Sequence, residues 1–95
     1  MILHQIFTNP STESHLQQCL DICGDEDGIL LMQEGVYGHL HSLIKHAIAR
    51  GLSVYVSQKD LAARGLTLQT TNITVVNDGQ WLALCLQYHK VVTWS

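Results

Sequence analysis

The sequence predicts an α/β domain on a mostly parallel five-stranded sheet, and three observations carry that expectation. Short runs rich in Val, Ile and Leu alternate with longer amphipathic stretches, the pattern of βα units. The run Ile29-Leu30-Leu31-Met32 is apolar at consecutive positions, as expected of a strand covered on both faces. Ninety-five residues, 46% of them hydrophobic and 14% charged, with one proline, suit one globular domain spanning 1–95.

The first strand is read at Met1–Phe7, followed by a helix over Thr12–Cys23 with Ser11 placed to cap it. The second strand covers Gly28–Gln33 and leads into a helix over Tyr37–Arg50, which Gly51 ends as a left-handed residue. A third strand, Leu52–Val56, precedes a short helical turn at Lys59–Arg64. Ser57 followed three residues later by Asp60 reads there as a variant capping box. The fourth strand, Ile73–Asn77, runs into a helix over Gly79–Tyr88 with Asp78 as its cap. Val91–Trp94 is the last strand. In such a sheet, ligands and partners meet the carboxyl ends of the strands. Those ends fall at Thr8–Ser11, Glu34–Gly38, Ser57–Lys59 and Asn77–Gln80.

Composition excludes several functions. A net charge of -3 with only five Lys plus Arg does not supply the clustered cations that direct nucleic-acid binding needs. No apolar run approaches the ~20 residues of a membrane span, and the N-terminus has no basic region or small-residue cleavage site, so a cytoplasmic location is expected. There is no phosphate-binding loop, no dinucleotide fingerprint and no G-x-S-x-G elbow, and no cofactor is expected. His39 and His41 are two apart, and His41 and His46 five apart. Neither is the i, i+4 spacing of a helical zinc pair, and no metal is expected.

Three cysteines, Cys19, Cys23 and Cys85, form no C-x-x-C pair and read as free thiols. His15, Cys19 and Cys23 are spaced four apart on one helix face, so a protonated His15 would favour a nucleophilic Cys19 thiolate. The same spacing makes Leu16, Cys19, Leu20 and Cys23 an apolar stripe for packing on the sheet. Both readings are open at this point. Asp60 and Arg64, also four apart, are set to pair and shape their helix.

Over nearly its whole length the chain resembles the TusB/DsrH family, the small B-type subunits of bacterial sulfur relays. The resemblance rests on Leu3-His4 in the opening strand, on Leu30-Leu31-Met32-Gln33-Glu34-Gly35-Val36-Tyr37, on Val54-Tyr55 leading into Asp60-Leu61-Ala62-Ala63-Arg64-Gly65-Leu66, and on Trp94. It implies a three-layer α/β/α sandwich that assembles with C-type and D-type paralogues into a heterohexamer. That assembly passes cysteine persulfide sulfur toward 2-thiouridine at the tRNA wobble position, or in another branch serves dissimilatory sulfur oxidation.

The resemblance also implies roles for particular residues. Ser57 falls near the position where the D-type paralogue keeps its persulfide cysteine, and serine cannot hold a persulfide. Cys19-Leu20 matches the first-helix cysteine of DsrH-type members, making Cys19 a candidate persulfide carrier with His15 as its thiolate support. The chain is accordingly expected to be a non-principal subunit that assists or scaffolds the catalytic paralogue. The alternatives are a DsrH-like subunit carrying sulfur on Cys19, or a homo-oligomeric interaction domain without chemistry. Gly35 and Tyr37 are expected to turn the chain and to serve an interface, and the free chain is expected to self-associate.

Overall fold

The computed structural model describes residues 1–68 and 72–95. Five strands form one sheet: β1 (Ile2–Ile6), β2 (Gly28–Leu31), β3 (Ser53–Ser57), β4 (Thr74–Val76) and β5 (Lys90–Trp94). Their order is β4-β3-β2-β1-β5, and every pairing is parallel rather than most of them. The helices are α1 (His15–Ile22), α2 (Ser42–Ala49), α3 (Gln58–Ala63) and α4 (Asp78–Gln87), with a 3-10 segment at Gln33–Leu40.

Topology sets the layers. From β1 to β4 the chain steps across the sheet in one direction, so crossovers of one hand leave α1, α2 and α3 on one face. The step from β4 back to β5 reverses direction and puts α4 on the other. Two cores flank the sheet accordingly. Ile6, Ile29, Leu31, Val54 and Val56 pack with Leu16, Cys19, Leu20, Ile44, Ala47 and Leu61. Leu3, Leu30, Met32 and Val76 pack with Leu84 and Tyr88 of the α4 side. The period-2 alternation of a strand divides β2 between them, Ile29 and Leu31 to one core and Leu30 to the other. Burying a side chain such as Leu16 or Leu20 contributes about 1.5–3 kcal/mol.

Gly28 has a specific reason. A Cβ there would collide with the Tyr88 hydroxyl, and its absence lets the ring lie against β2, with the hydroxyl 3.3 Å from that of Tyr55.

Several expectations about helix ends change. The helix expected over Tyr37–Arg50 is two pieces, because the chain turns to extended backbone at His41, whose Nδ1 accepts from the Leu43 N–H and caps α2. Ser11 is not the cap of the first helix. It lies four residues before α1, and Asn9 organises the turn between them by accepting the Ser11 N–H on its side chain. Asp78 is the first residue of α4, while Asn77 caps it in a full capping box with Gln80. Gly51 has φ +90° just past α2, the left-handed stop that was expected. Ser57 accepts from the Asp60 N–H at 3.4 Å, but the Asp60 carboxylate turns elsewhere, leaving half a capping box.

Candidate functional site

At the carboxyl edge of the sheet the two separated motifs meet. β2 leads into Gln33 and Glu34 at the start of the 3-10 segment, and α3 carries Asp60 in its first turn and Arg64 just past its last. Asp60 is buried, and its Oδ2 accepts the Gln33 N–H at 2.8 Å. Gln33 has φ +50°, a left-handed conformation that disfavours residues carrying a Cβ. A buried carboxylate therefore holds the one non-glycine residue with positive φ among the described residues.

Arg64 joins the same cluster, donating from Nη2 to Glu34 Oε1 at 3.1 Å and standing 3.7 Å from Asp60 Oδ1. The i, i+4 pair is thus made, and as part of a half-buried network rather than on an open surface. Gly35 follows, so close to β1 that a Cβ would strike the Ile6 carbonyl. Gly38 rests on Pro10 in the same way, which seats the 3-10 segment on the loop after β1. Tyr37 is left with 42% of its surface exposed, available to a neighbour.

Cys19 lies on the inner face of α1 with none of its surface exposed. Burial first, then the nearby Cys23 and Asp27, push its thiol up to about 12, and Arg50 offsets only part of this. His15, at the start of α1, turns its Nδ1 to the Thr8 hydroxyl at 2.8 Å. The helix face predicted from spacing exists, but its sulfur packs against the sheet while the imidazole is spent on the loop after β1. Cys23 is buried at the end of α1, where Arg50 donates to the Leu20 and Cys23 carbonyls and lies 3.7 Å from the sulfur. Cys85, half-buried on α4, has its thiol pushed up by burial.

Ser57 ends β3 beside this edge and is buried. Two of the helix-region histidines serve the backbone: His39 is buried and donates from Nδ1 to the Val36 carbonyl at 2.9 Å, and His41 caps α2. Among the described residues, no three His, Cys, Asp or Glu side chains form a metal-holding group. No helix of the described residues is long and apolar enough to cross a membrane.

Sequence reasoning did not identify a second polar cluster, which joins β5, β1 and the turn before β2. His4, on β1, is 2% exposed, with Nε2 3.0 Å from Asp27 Oδ2 and Nδ1 accepting from Trp94 Nε1 at 3.2 Å. Asp27 also accepts the Ile2 and Gly24 N–H groups. Burial by itself would raise the Asp27 carboxyl, but the hydrogen bonds from Gly24, His4 and Ile2 hold it below its ordinary value. The available signal was a histidine inside an apolar strand, which has to find polar partners.

Comparison with known proteins gives three findings. The family model described as DsrH like protein matches residues 8–91. Protein TusB of Pectobacterium parmentieri is 25% identical over 96 residues, covering 98% of this chain and all of that protein. The crystal structure of the ychN protein from E. coli superposes with a TM-score of 0.76 at 12% identity, over 98% of this chain and 97% of that one. At that identity the structural likeness speaks to the fold.

Proposed function

The chain belongs to the DsrH-like family, and from that premise we propose that it is a non-principal subunit of a sulfur-relay assembly. In this reading it holds a catalytic D-type paralogue in place, together with a C-type paralogue, and the relay cysteine lies on the D-type chain. The assembly works in the cytoplasm and sends persulfide sulfur toward 2-thiolation of the tRNA wobble uridine, and this chain itself touches neither nucleic acid nor membrane.

The observation that carries the reading is the state of Cys19. Sulfur transfer needs an accessible thiolate to attack a donor persulfide. Cys19 is fully buried and its thiol is pushed up to about 12. At the end of β3, where a D-type chain keeps its cysteine, this chain has Ser57, whose hydroxyl cannot carry a persulfide. Cys19 and His15 therefore serve as packing and loop-anchoring residues in this proposal, not as carrier and base.

A subunit without the principal thiol needs a surface by which to assemble. The outer face of α4 offers one, since Leu82 and Leu86 are 56% and 80% exposed there and Ala83 lies between them. Gly79, Leu82, Ala83 and Leu86 share the i, i+3, i+4, i+7 spacing of one helix face. An exposed apolar ridge of this kind marks an interaction site in a chain with few charges.

Co-expression with the C-type and D-type paralogues of the same genome tests the proposal. The expected result is a stable complex in which a persulfide adduct of ~32 Da forms on the D-type chain and not on this one. Leu86→Arg should abolish the complex and leave the fold of the isolated chain intact. A persulfide adduct on Cys19 of the assembled complex would overturn the scaffolding reading, and failure of the paralogues to co-purify would overturn the assembly.

A further inference from the structure

A small, partly open cavity of about 70 Å³ lies at the carboxyl ends of β2, β3 and β4, between the starts of α3 and α4. Its walls are apolar where Leu30, Met32 and Val76 line it, and all three are buried. Lys59 and Asp78 also line it, and they are exposed and ion-paired at 3.4 Å, which places this pair at the solvent end. One water needs roughly 10–15 Å³ of such space, so a cavity of about 70 Å³ admits roughly five to seven atoms of that size.

The side-chain acceptors of the lining are already engaged, since Asn77 Oδ1 accepts the Gln80 N–H and Asp78 pairs with Lys59. Trp81 lines the cavity, and its indole N–H is shielded from solvent and meets no acceptor among the described residues. A buried donor without an acceptor is unfavourable, and an oxygen brought against it removes that cost. Ser57 is a second donor, because its oxygen already accepts the Asp60 N–H and its own hydrogen remains to be placed. Lys59 adds a positive charge beside Asp78, and the amino end of α4, a ten-residue helix, favours negative charge at the same rim.

We propose that this cavity binds a short monocarboxylate of four to five non-hydrogen atoms, the size of acetate or propionate. Its carboxylate is taken by the Trp81 N–H and the Ser57 hydroxyl, and its hydrocarbon end lies on Leu30, Met32 and Val76. The site is independent of the sulfur-relay reading. Neither of the side chains that grip the ligand belongs to the Asp60–Arg64–Glu34 network, so binding leaves that network in place.

The chain has two tryptophans, which makes the test direct. Trp94 is bonded to His4 at the far edge of the sheet and serves as an internal reference. In the full chain labelled with nitrogen-15, the two indole N–H resonances are assigned with Trp81→Phe and followed while sodium propionate replaces sodium chloride at constant ionic strength. The expected result is a saturable downfield movement of the Trp81 resonance alone. Ser57→Ala weakens the binding about two- to tenfold. Lys59→Ala, an exposed substitution that leaves the core untouched, weakens it about two- to fivefold. Propionamide, of equal size and no charge, moves the resonance much less. A Trp81 resonance that propionate leaves unmoved overturns the proposal. So does equal movement with propionamide, or joint movement of both indole resonances.

Discussion

Trp94 Nε1 donates to His4 Nδ1 at 3.2 Å, and this one bond settles the tautomer of a buried imidazole. An indole N–H can only donate, so Nδ1 must hold a lone pair and the ring proton of neutral His4 sits on Nε2, directed at Asp27 Oδ2 3.0 Å away. The chain Trp94, His4, Asp27 ties the edge strand β5 through β1 to the turn before β2. Asp27 completes it by accepting the Ile2 and Gly24 N–H groups.

Asp27→Asn is expected to lower stability by about 1–3 kcal/mol at pH 7, since one buried acceptor loses its charge and half of its acceptor capacity. The folded carboxyl lies below its ordinary value of 3.8, so its contribution is fully present above about pH 4 and is lost as pH falls through the folded value. Urea midpoints of the native chain and Asp27→Asn should therefore differ most at neutral pH and converge in acid. A gap that is constant from pH 7 to pH 3 contradicts this account.

Cys19 should resist alkylation in the folded chain at pH 8, while Cys85, half-buried on α4, is modified before it. Cys19→Ser places a hydroxyl in an apolar setting and should cost about 1–3 kcal/mol. Sulfur transfer through an assembled complex should be unchanged by it. The measurements are mass-resolved alkylation rates and thermal denaturation of the variant, and rapid labelling of native Cys19 would contradict the packing.

Gly35→Ala is expected to be among the most damaging single-methyl additions, at roughly 2–4 kcal/mol, because the new Cβ meets the Ile6 main-chain carbonyl and only backbone movement relieves it. Gly24→Ala, where the nearest atoms are 4.0 Å from a built Cβ, is the matched control and should cost far less. Chemical denaturation of the two variants side by side checks the difference.

Gln33→Gly should stabilise the chain by up to about 1 kcal/mol, since a φ of +50° costs a residue with a Cβ about 1–2 kcal/mol and glycine regains part of this after its larger unfolded-state entropy. The exposed Gln33 side chain gives up little packing. Asp60→Ala acts in the opposite direction by about 1–3 kcal/mol, removing the acceptor of the Gln33 N–H. The coupling is measurable: in the Gln33→Gly background the penalty of Asp60→Ala should shrink, and strict additivity would contradict it.

Much of the fold was legible along the chain because local patterns are set by local physics. A short apolar run such as Ile29–Leu31, next to a glycine, suits a strand covered on both faces, and Gly51 marks a helix end because a positive φ is nearly free for glycine. The family resemblance was legible for the same reason, being carried by contiguous segments. Cap assignments failed at Ser11, where α1 begins later and Ser14 stands at its N-cap with no side-chain cap bond, and at Asp78, where Asn77 took the role; residue type alone does not locate a helix end to one position.

What the sequence by itself determined was the strand and helix order, the i, i+4 pairing of Asp60 with Arg64, and the shared helix face of His15, Cys19 and Cys23. Only the tertiary structure decided what those faces meet. It turned Cys19 onto the sheet and His15 toward Thr8, brought Asp60 to Gln33 across 27 positions, and joined His4 to Trp94 across 90. Periodicity reports which residues share a side of an element. Burial, and with it the protonation and reactivity of a thiol or an imidazole, depends on which other element closes over that side.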